Sequence, residues 1–128
     1  MTQVIEKVGV VGCGLMGSGI AEVAARAGLD VTVTESSPSA AEAGMARVAT
    51  SMKRALTSGR LTDADHDAAW GRLAFGHQLD ALVDCDLVIE AVAEDEAMKI
   101  EVFGQLDEVC KPQAVLASNT SSIPIMKL

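Results

Sequence analysis

The fold is decided by residues 7–35, which read KVGVVGCGLMGSGIAEVAARAGLDVTVTE. A short Val-rich run, Lys7 to Val11, predicts a strand that leads directly into glycines at G-x-G-x-x-G spacing. Apolar residues at helical spacing then predict a helix over about residues 16–27, ended by Arg26 and Gly28. The expected buried face of this helix consists of Ile20, Val23, Ala24 and Ala27.

A second strand, residues 30–35 (DVTVTE), follows the helix and ends in an acidic residue, Glu35. Its alternating β-branched residues favour a strand. The glycine pattern alone is a weak signal, because 11 of the 128 residues are Gly. Its position between a strand and a helix, with a carboxylate ending the next strand, is typical of a dinucleotide-binding βαβ unit.

This interpretation gives the loop and the carboxylate separate roles. The first glycine would allow a tight turn, the second a close approach of the backbone to a pyrophosphate, and the third close packing of helix on strand. Glu35 would accept hydrogen bonds from the adenosine ribose and repel a 2′-phosphate, which favours NAD over NADP. A glycine turn that only packs a helix on a strand is the alternative. The predicted cofactor loop consists of Gly12, Cys13, Gly14, Leu15, Met16 and Gly17.

The rest of the chain continues the alternation of helices and strands, with no repeat or linker. Ser37-Pro38 predicts the start of a long helix that runs to Ser58 and stops at Gly59, and Thr62 predicts the cap of a short helix. The expected buried face of the long helix consists of Ala41, Met45, Val48, Met52 and Ala55. The later predicted elements are strands at residues 73–75, 86–92 and 114–118 and a helix at about residues 96–109.

This order predicts an α/β protein of the Rossmann type, doubly wound, with a mainly parallel sheet and helices on both faces. The length of 128 residues is close to that of one common domain. We expect residues 1–120 to form the dinucleotide-binding domain, and residues 121–128 to begin a segment that leads to the missing remainder of the protein.

Composition excludes several classes of partner. The net charge of −8 argues against nucleic acid and anionic membranes, because both need a basic face. No apolar run is long enough to span a membrane, and the first residues lack the pattern of a signal peptide. Cys13, Cys85 and Cys110 have no metal-like spacing, so we expect no disulfide framework, no metal site and a cytoplasmic location.

Three stretches resemble the N-terminal domain of L-3-hydroxyacyl-CoA dehydrogenases, most of all the bacterial 3-hydroxybutyryl-CoA dehydrogenases. They are residues 8–35, residues 86–112 (DLVIEAVAEDEAMKIEVFGQLDEVCKP) and residues 116–122 (LASNTSS). The resemblance implies NAD as the cofactor and hydride transfer between NAD and an (S)-3-hydroxyacyl-CoA, in fatty acid metabolism. It also implies a helical C-terminal domain, absent here, through which homodimers pair.

The resemblance also assigns roles to single residues. Glu94 and Lys99 match positions at the nicotinamide end of the cofactor, and Ser121 matches a catalytic serine that hydrogen-bonds the substrate oxygen. Ser51 matches a position that touches CoA. The alternatives are surface charges at a helix start for Glu94 and Lys99, and a turn role for Ser121.

One face of the predicted long helix is basic. Residues 44–62 contain four basic and no acidic residues, and Arg47, Ser51, Arg54 and Ser58 recur at helical spacing. CoA phosphates would suit this face, with Ser51 and Arg54 as candidate contacts, and a solvated basic face is the alternative. The resembled family has a CoA-binding lysine where this chain has Ser58, although Arg60 is close by.

Oxidation of an alcohol needs a base, usually His. In the resembled family the catalytic histidine lies in an H-F-F-N-P motif beyond S-N-T-S-S, with a glutamate partner further on, and this sequence contains neither. We expect His66 and His77 to be ordinary surface residues, away from the carboxyl ends of strands 1 and 4. Two other functions stay open: another β-hydroxyacid dehydrogenase, or an NAD-sensing module without catalysis.

Overall fold

The computed structural model describes residues 4–92 and 95–118, which form one parallel sheet flanked by helices. The strands are β1 (Lys7–Val11), β2 (Asp30–Thr34), β3 (Leu73–Gly76), β4 (Leu87–Glu90) and β5 (Val115–Ser118). The helices are α1 (Leu15–Arg26), α2 (Pro38–Thr57), α3 (Asp63–Gly71) and α4 (Glu96–Val109). A short 3-10 helix, Leu79–Leu82, precedes β4 and has no counterpart among the sequence predictions.

The sheet has the strand order β3-β2-β1-β4-β5, and all four pairings are parallel. The chain starts at the central strand, moves outward through β2 and β3, and then returns to the other side of β1. This reversal opens a crevice at the carboxyl ends of β1 and β4, where open α/β sheets bind ligands. The predicted doubly wound fold is confirmed.

Successive side chains of the strands point to opposite faces of the sheet and form a separate apolar cluster on each face. Val8 and Val10 of β1 belong to a cluster with α1, α2 and α3, whereas Val11 belongs to a cluster with α4 and the 3-10 helix. Gly9 faces the 3-10 helix, and a Cβ there would lie 2.8 Å from Leu82 Cδ2. Helices therefore cover both faces, as successive side chains of a strand point to opposite sides.

The predicted buried face of α1 is correct for Ile20 and Ala24 and wrong for Val23 and Ala27. Val23 is 69% exposed and Ala27 is exposed, whereas Ala21 and Ala25 are fully buried. Ile20 and Ala24 are partly buried and pack against the core. The smallest side chains of α1 face the sheet because they let the helix approach the glycine loop and β1 closely.

The predicted buried face of α2 is correct except at Met45, which is 38% exposed. Gly44 is buried in its place. A Cβ on Gly44 would lie 2.6 Å from Cys13 Cβ and 2.7 Å from Cys13 Sγ, so only glycine lets α2 pack on the loop after β1. The predicted caps are confirmed, because Ser37 Oγ and Thr62 Oγ1 accept backbone hydrogen bonds at the starts of α2 and α3.

Candidate functional site

The glycine loop lies at the crevice and is tightly packed. Gly12 has a φ of +93°, and its N–H donates to the Thr34 carbonyl at 2.9 Å. A Cβ on Gly12 would lie 2.8 Å from the Ala91 carbonyl oxygen, and a Cβ on Gly17 would clash with the Gly12 carbonyl oxygen. Both glycines are thus required by the packing of β1, α1 and the segment after β4.

Gly14 differs from these two, because nothing lies within 4 Å of the place where its Cβ would be. It is the N-cap residue of α1, no side chain caps the helix, and the first turn contains no acidic residue. Leu15 and Met16, the first two residues of the helix, are 86% and 58% exposed. An open backbone at an uncapped helix N-terminus fits a phosphate group, which the helix dipole would also favour.

Glu35 is held beside this loop. The β1–β2 register pairs Val11 with Thr34, so the residue after β2 comes next to the loop after β1. Glu35 Oε2 accepts a hydrogen bond from the Cys13 N–H at 2.7 Å, and Oε1 accepts one from the Ser36 N–H at 3.2 Å. The carboxylate is therefore oriented by two backbone donors at the entrance to the crevice.

A cleft of about 830 Å³ joins the loop, Glu35 and the segment after β4. Its walls include Gly12, Gly14, Met16, Glu35, Ala91 and Val92. His77 also lines this cleft, at the carboxyl end of β3. It is exposed, as expected of a surface residue, but it is closer to the candidate site than the sequence indicated. His66 lies in α3, where its ring nitrogen is 3.2 Å from the Asp67 carboxylate.

Cys13 is an inert member of the loop. Its side chain is fully buried, and burial raises the pKa of its thiol to about 11, with the Glu35 carboxylate adding to the rise and Arg47 opposing it. The thiol therefore stays protonated at neutral pH. Its carbonyl oxygen accepts a hydrogen bond of 2.8 Å from Arg47 Nη1, so α2 holds the loop by a side chain as well as by packing.

Lys99 lies behind the cleft wall in a buried ion pair with Glu90, the last residue of β4. The lysine Nζ is 3.0 and 2.8 Å from the two carboxylate oxygens, and both side chains are fully buried. Ser118 Oγ donates to the same carboxylate at 2.6 Å. Sequence reasoning missed Glu90, although an acidic residue that ends an apolar strand, with a lysine nine positions later, was a usable signal.

The basic face of α2 borders a second cleft, of about 630 Å³, between α1 and α2. Arg47, Ser51 and Arg54 line it together with Glu22 of α1. Ser58 lies beyond this cleft at the end of α2 and accepts a hydrogen bond of 3.0 Å from Arg60 Nε. The structure thus brings Ser51 and Arg54 together, with Arg47 shared between this cleft and the glycine loop.

Two predicted site residues, Glu94 and Ser121, lie outside the described residues. Within residues 4–92 and 95–118, no cluster of three or more His, Cys, Asp or Glu side chains is arranged to hold a metal ion. In the same part of the chain, no helix combines the length and apolar character needed to cross a membrane.

The strand order, the glycine loop and the acidic residue after β2 together define a dinucleotide-binding domain. Comparison with known proteins identifies its family. The sequence matches "3-hydroxyacyl-CoA dehydrogenase, NAD binding domain" over residues 7–128, and the chain belongs to this family. NAD is therefore its cofactor, and the alternative of another β-hydroxyacid dehydrogenase is set aside.

Similar proteins are much longer than this chain. A 3-hydroxybutyryl-CoA dehydrogenase of Mycobacterium tuberculosis H37Rv is 55% identical over all of this chain and 45% of its own length. The crystal structure of FadB2 from M. tuberculosis has a TM-score of 0.95 and 56% identity, covering 98% of this chain and 44% of that protein. That of (S)-3-hydroxybutyryl-CoA dehydrogenase from Ralstonia eutropha has a TM-score of 0.92 and 40% identity, with the same coverage.

Proposed function

We propose that this chain is the cofactor-binding part of an enzyme that interconverts (S)-3-hydroxyacyl-CoA and 3-oxoacyl-CoA, with short-chain substrates such as 3-hydroxybutyryl-CoA. Bound NAD would supply the hydride acceptor. The observation that carries this proposal is the cleft at the crevice, where an open glycine, an uncapped helix N-terminus and an oriented carboxylate meet. The names of the similar proteins support the substrate class.

In this proposal, different residues of the chain bind different parts of the cofactor. The backbone of residues 12–17 would hold the pyrophosphate, and Glu35 would accept hydrogen bonds from the adenosine ribose. The other half of the cofactor would cross the crevice toward β4, where Glu94 would lie at the nicotinamide end. Lys99, which is fully buried, would act there through Glu90 and the Val92 carbonyl. Ser121 would donate a hydrogen bond to the substrate oxygen, and the base that removes the hydroxyl proton would come from outside these 128 residues.

The second cleft is the place we propose for the CoA phosphates. Ser51 and Arg54 would contact the substrate there, and Arg60, which already reaches Ser58, would supply the positive charge that the family places near the end of this helix. The family resemblance further supports a homodimer formed through the C-terminal helical domain. The number and spacing of the three cysteines support a reducing, cytoplasmic location.

The test is the activity of the full-length protein. We expect NADH to form from NAD and (S)-3-hydroxybutyryl-CoA, whereas 3-hydroxybutyrate without CoA gives at least about tenfold lower kcat/KM, because distant binding contacts support the reaction. Arg54→Ala should raise KM for the CoA substrate and leave the reaction without CoA unchanged. Tight NADH binding without turnover of any hydroxyacyl-CoA would contradict the proposal and favour an NAD-sensing module.

A further inference from the structure

β4 carries a carboxylate at each end, and each is paired with a lysine that follows in the chain. Asp86 precedes the strand and pairs with Lys111, while Glu90 ends it and pairs with Lys99. The two pairs lie at opposite ends of β4, because Asp86 is at the amino end of the strand and Glu90 at its carboxyl end. Of these two ends, the carboxyl end of β4 is the one that borders the cofactor cleft.

Glu90 is more completely enclosed than its counterpart. Its carboxylate is fully buried and accepts hydrogen bonds from Lys99 Nζ, from Ser118 Oγ at 2.6 Å and from the Val92 N–H at 2.7 Å. A buried ion pair contributes little net stability, because removing both charges from water costs about as much as their attraction returns. Stability alone therefore gives no reason to place this pair here.

The backbone that Glu90 holds forms one wall of the cofactor cleft. Ala91 and Val92 both line the cleft, and the Ala91 N–H donates to the Val11 carbonyl at 2.7 Å. Gly12 packs against the same two residues, with its Cβ position 2.8 Å from the Ala91 carbonyl oxygen. β4 ends at Glu90, and the hydrogen bond from the Val92 N–H to the Glu90 carboxylate holds the backbone of Val92 in place.

We propose that Glu90 is a positioning residue for the nicotinamide half of the cofactor. Through Val92 and Lys99 it fixes the wall beside which that half lies. This inference rests on the proposed binding mode, in which Glu35 holds the adenosine half on the β2 side. Among the described residues, the Glu90 carboxylate accepts its hydrogen bonds from Val92, Lys99 and Ser118, on the β4–β5 side of the sheet, so we expect it to act on one half of the cofactor.

The experiment compares two ligands and two variants of the full-length protein. NADH carries both halves of the cofactor, and ADP-ribose lacks the nicotinamide. We expect Glu90→Gln to weaken NADH binding about tenfold, the range for loss of a hydrogen-bonded charge, and to leave ADP-ribose binding within about twofold. Binding is measured by calorimetry, and folding by thermal denaturation.

Asp86→Asn is the matched control, since it removes an ion pair at the amino end of the same strand. It should lower the melting temperature and leave the affinities for both ligands unchanged. If Glu90→Gln does not fold, Ser118→Ala removes one hydrogen bond to the same carboxylate. We expect a smaller loss of NADH affinity there, about threefold, again at constant ADP-ribose affinity.

Equal weakening of NADH and ADP-ribose in the folded variants, or no change in either, would overturn the positioning role of Glu90. Failure of the wild-type protein to bind ADP-ribose would instead contradict the proposed cofactor site itself. The two failures are therefore distinguishable.

Discussion

At the scale of single residues, we expect the carboxylate after β2 to decide which cofactor is preferred. Glu35 is held by the N–H groups of Cys13 and Ser36, so its charge has a defined place beside the loop. We expect wild-type protein to bind NADH at least about tenfold more tightly than NADPH, because like charges repel at short range. Glu35→Arg should shift the ratio of the two affinities toward NADPH.

The ratio is the appropriate measure, because Glu35→Arg also removes the hydrogen bond to Cys13 and will loosen the loop for both cofactors. Glu42→Arg, at an exposed position of α2, introduces the same charge away from the cleft and should leave the ratio unchanged. Wild-type protein that binds NADPH as tightly as NADH would show that Glu35 does not contact the ribose.

A second prediction at this scale concerns Ser121. In the full-length enzyme, Ser121→Ala should lower kcat by about 10², the loss typical of one oriented hydrogen-bond donor, and change NAD affinity little. Steady-state kinetics with 3-hydroxybutyryl-CoA give both values. A near-normal kcat would leave Ser121 as a turn residue.

At the scale of elements, close packing between α2 and the glycine loop can be tested at Gly44. A Cβ there would overlap Cys13, so Gly44→Ala must displace α2 or the loop. We expect a loss of about 1–3 kcal/mol in the free energy of unfolding, with weaker NADH binding because the loop moves. Chemical denaturation and NADH fluorescence measure the two effects.

Gly104→Ala is the matched control for this substitution. Gly104 lies in α4 with nothing within 4 Å of its Cβ position, so alanine there should stabilise the protein by up to about 1 kcal/mol through helix propensity. An unchanged stability of Gly44→Ala would mean that α2 does not pack on the loop as described.

The carboxylate at the amino end of β4, Asp86, predicts that the stability of the protein depends on pH. The hydrogen bonds that Asp86 accepts from Lys111 and from the backbone N–H groups of Glu6 and Lys7 hold the pKa of its carboxyl well below the usual range. A carboxyl whose pKa is depressed by folding contributes stability above its unfolded pKa of about 4 and loses that contribution as the pH falls further. The melting temperature should therefore fall below about pH 4, and it should fall less steeply in Asp86→Asn.

At the scale of the whole molecule, the described chain has its own sheet, with helices and apolar clusters on both faces. We expect the isolated 128 residues to bind NADH and to show no oxidation of 3-hydroxybutyryl-CoA, because the proposed base lies outside them. Fluorescence titration and an absorbance assay test the two parts. Measurable turnover by the pure 128-residue protein would contradict this prediction.

The sequence by itself determined the order of the elements, the glycine loop and the acidic residue after β2. These features depend on short-range patterns: glycines at a fixed spacing, caps such as Ser37 and Thr62, and alternation within single strands. The family could also be predicted, because its motifs are local stretches of sequence. The domain limit at residue 120, the roles of the site residues and the homodimer stay predictions.

Only the tertiary structure decided which contacts bring distant residues together. It showed that α1 buries Ala21 and Ala25 rather than Val23, because close approach to the glycine loop outweighs the hydrophobicity of single side chains. It likewise paired Lys99 of α4 with Glu90 of β4, nine residues apart in the chain. Such choices depend on how helices and strands pack against one another, and helical periodicity within one segment contains no information about the shape of its partner.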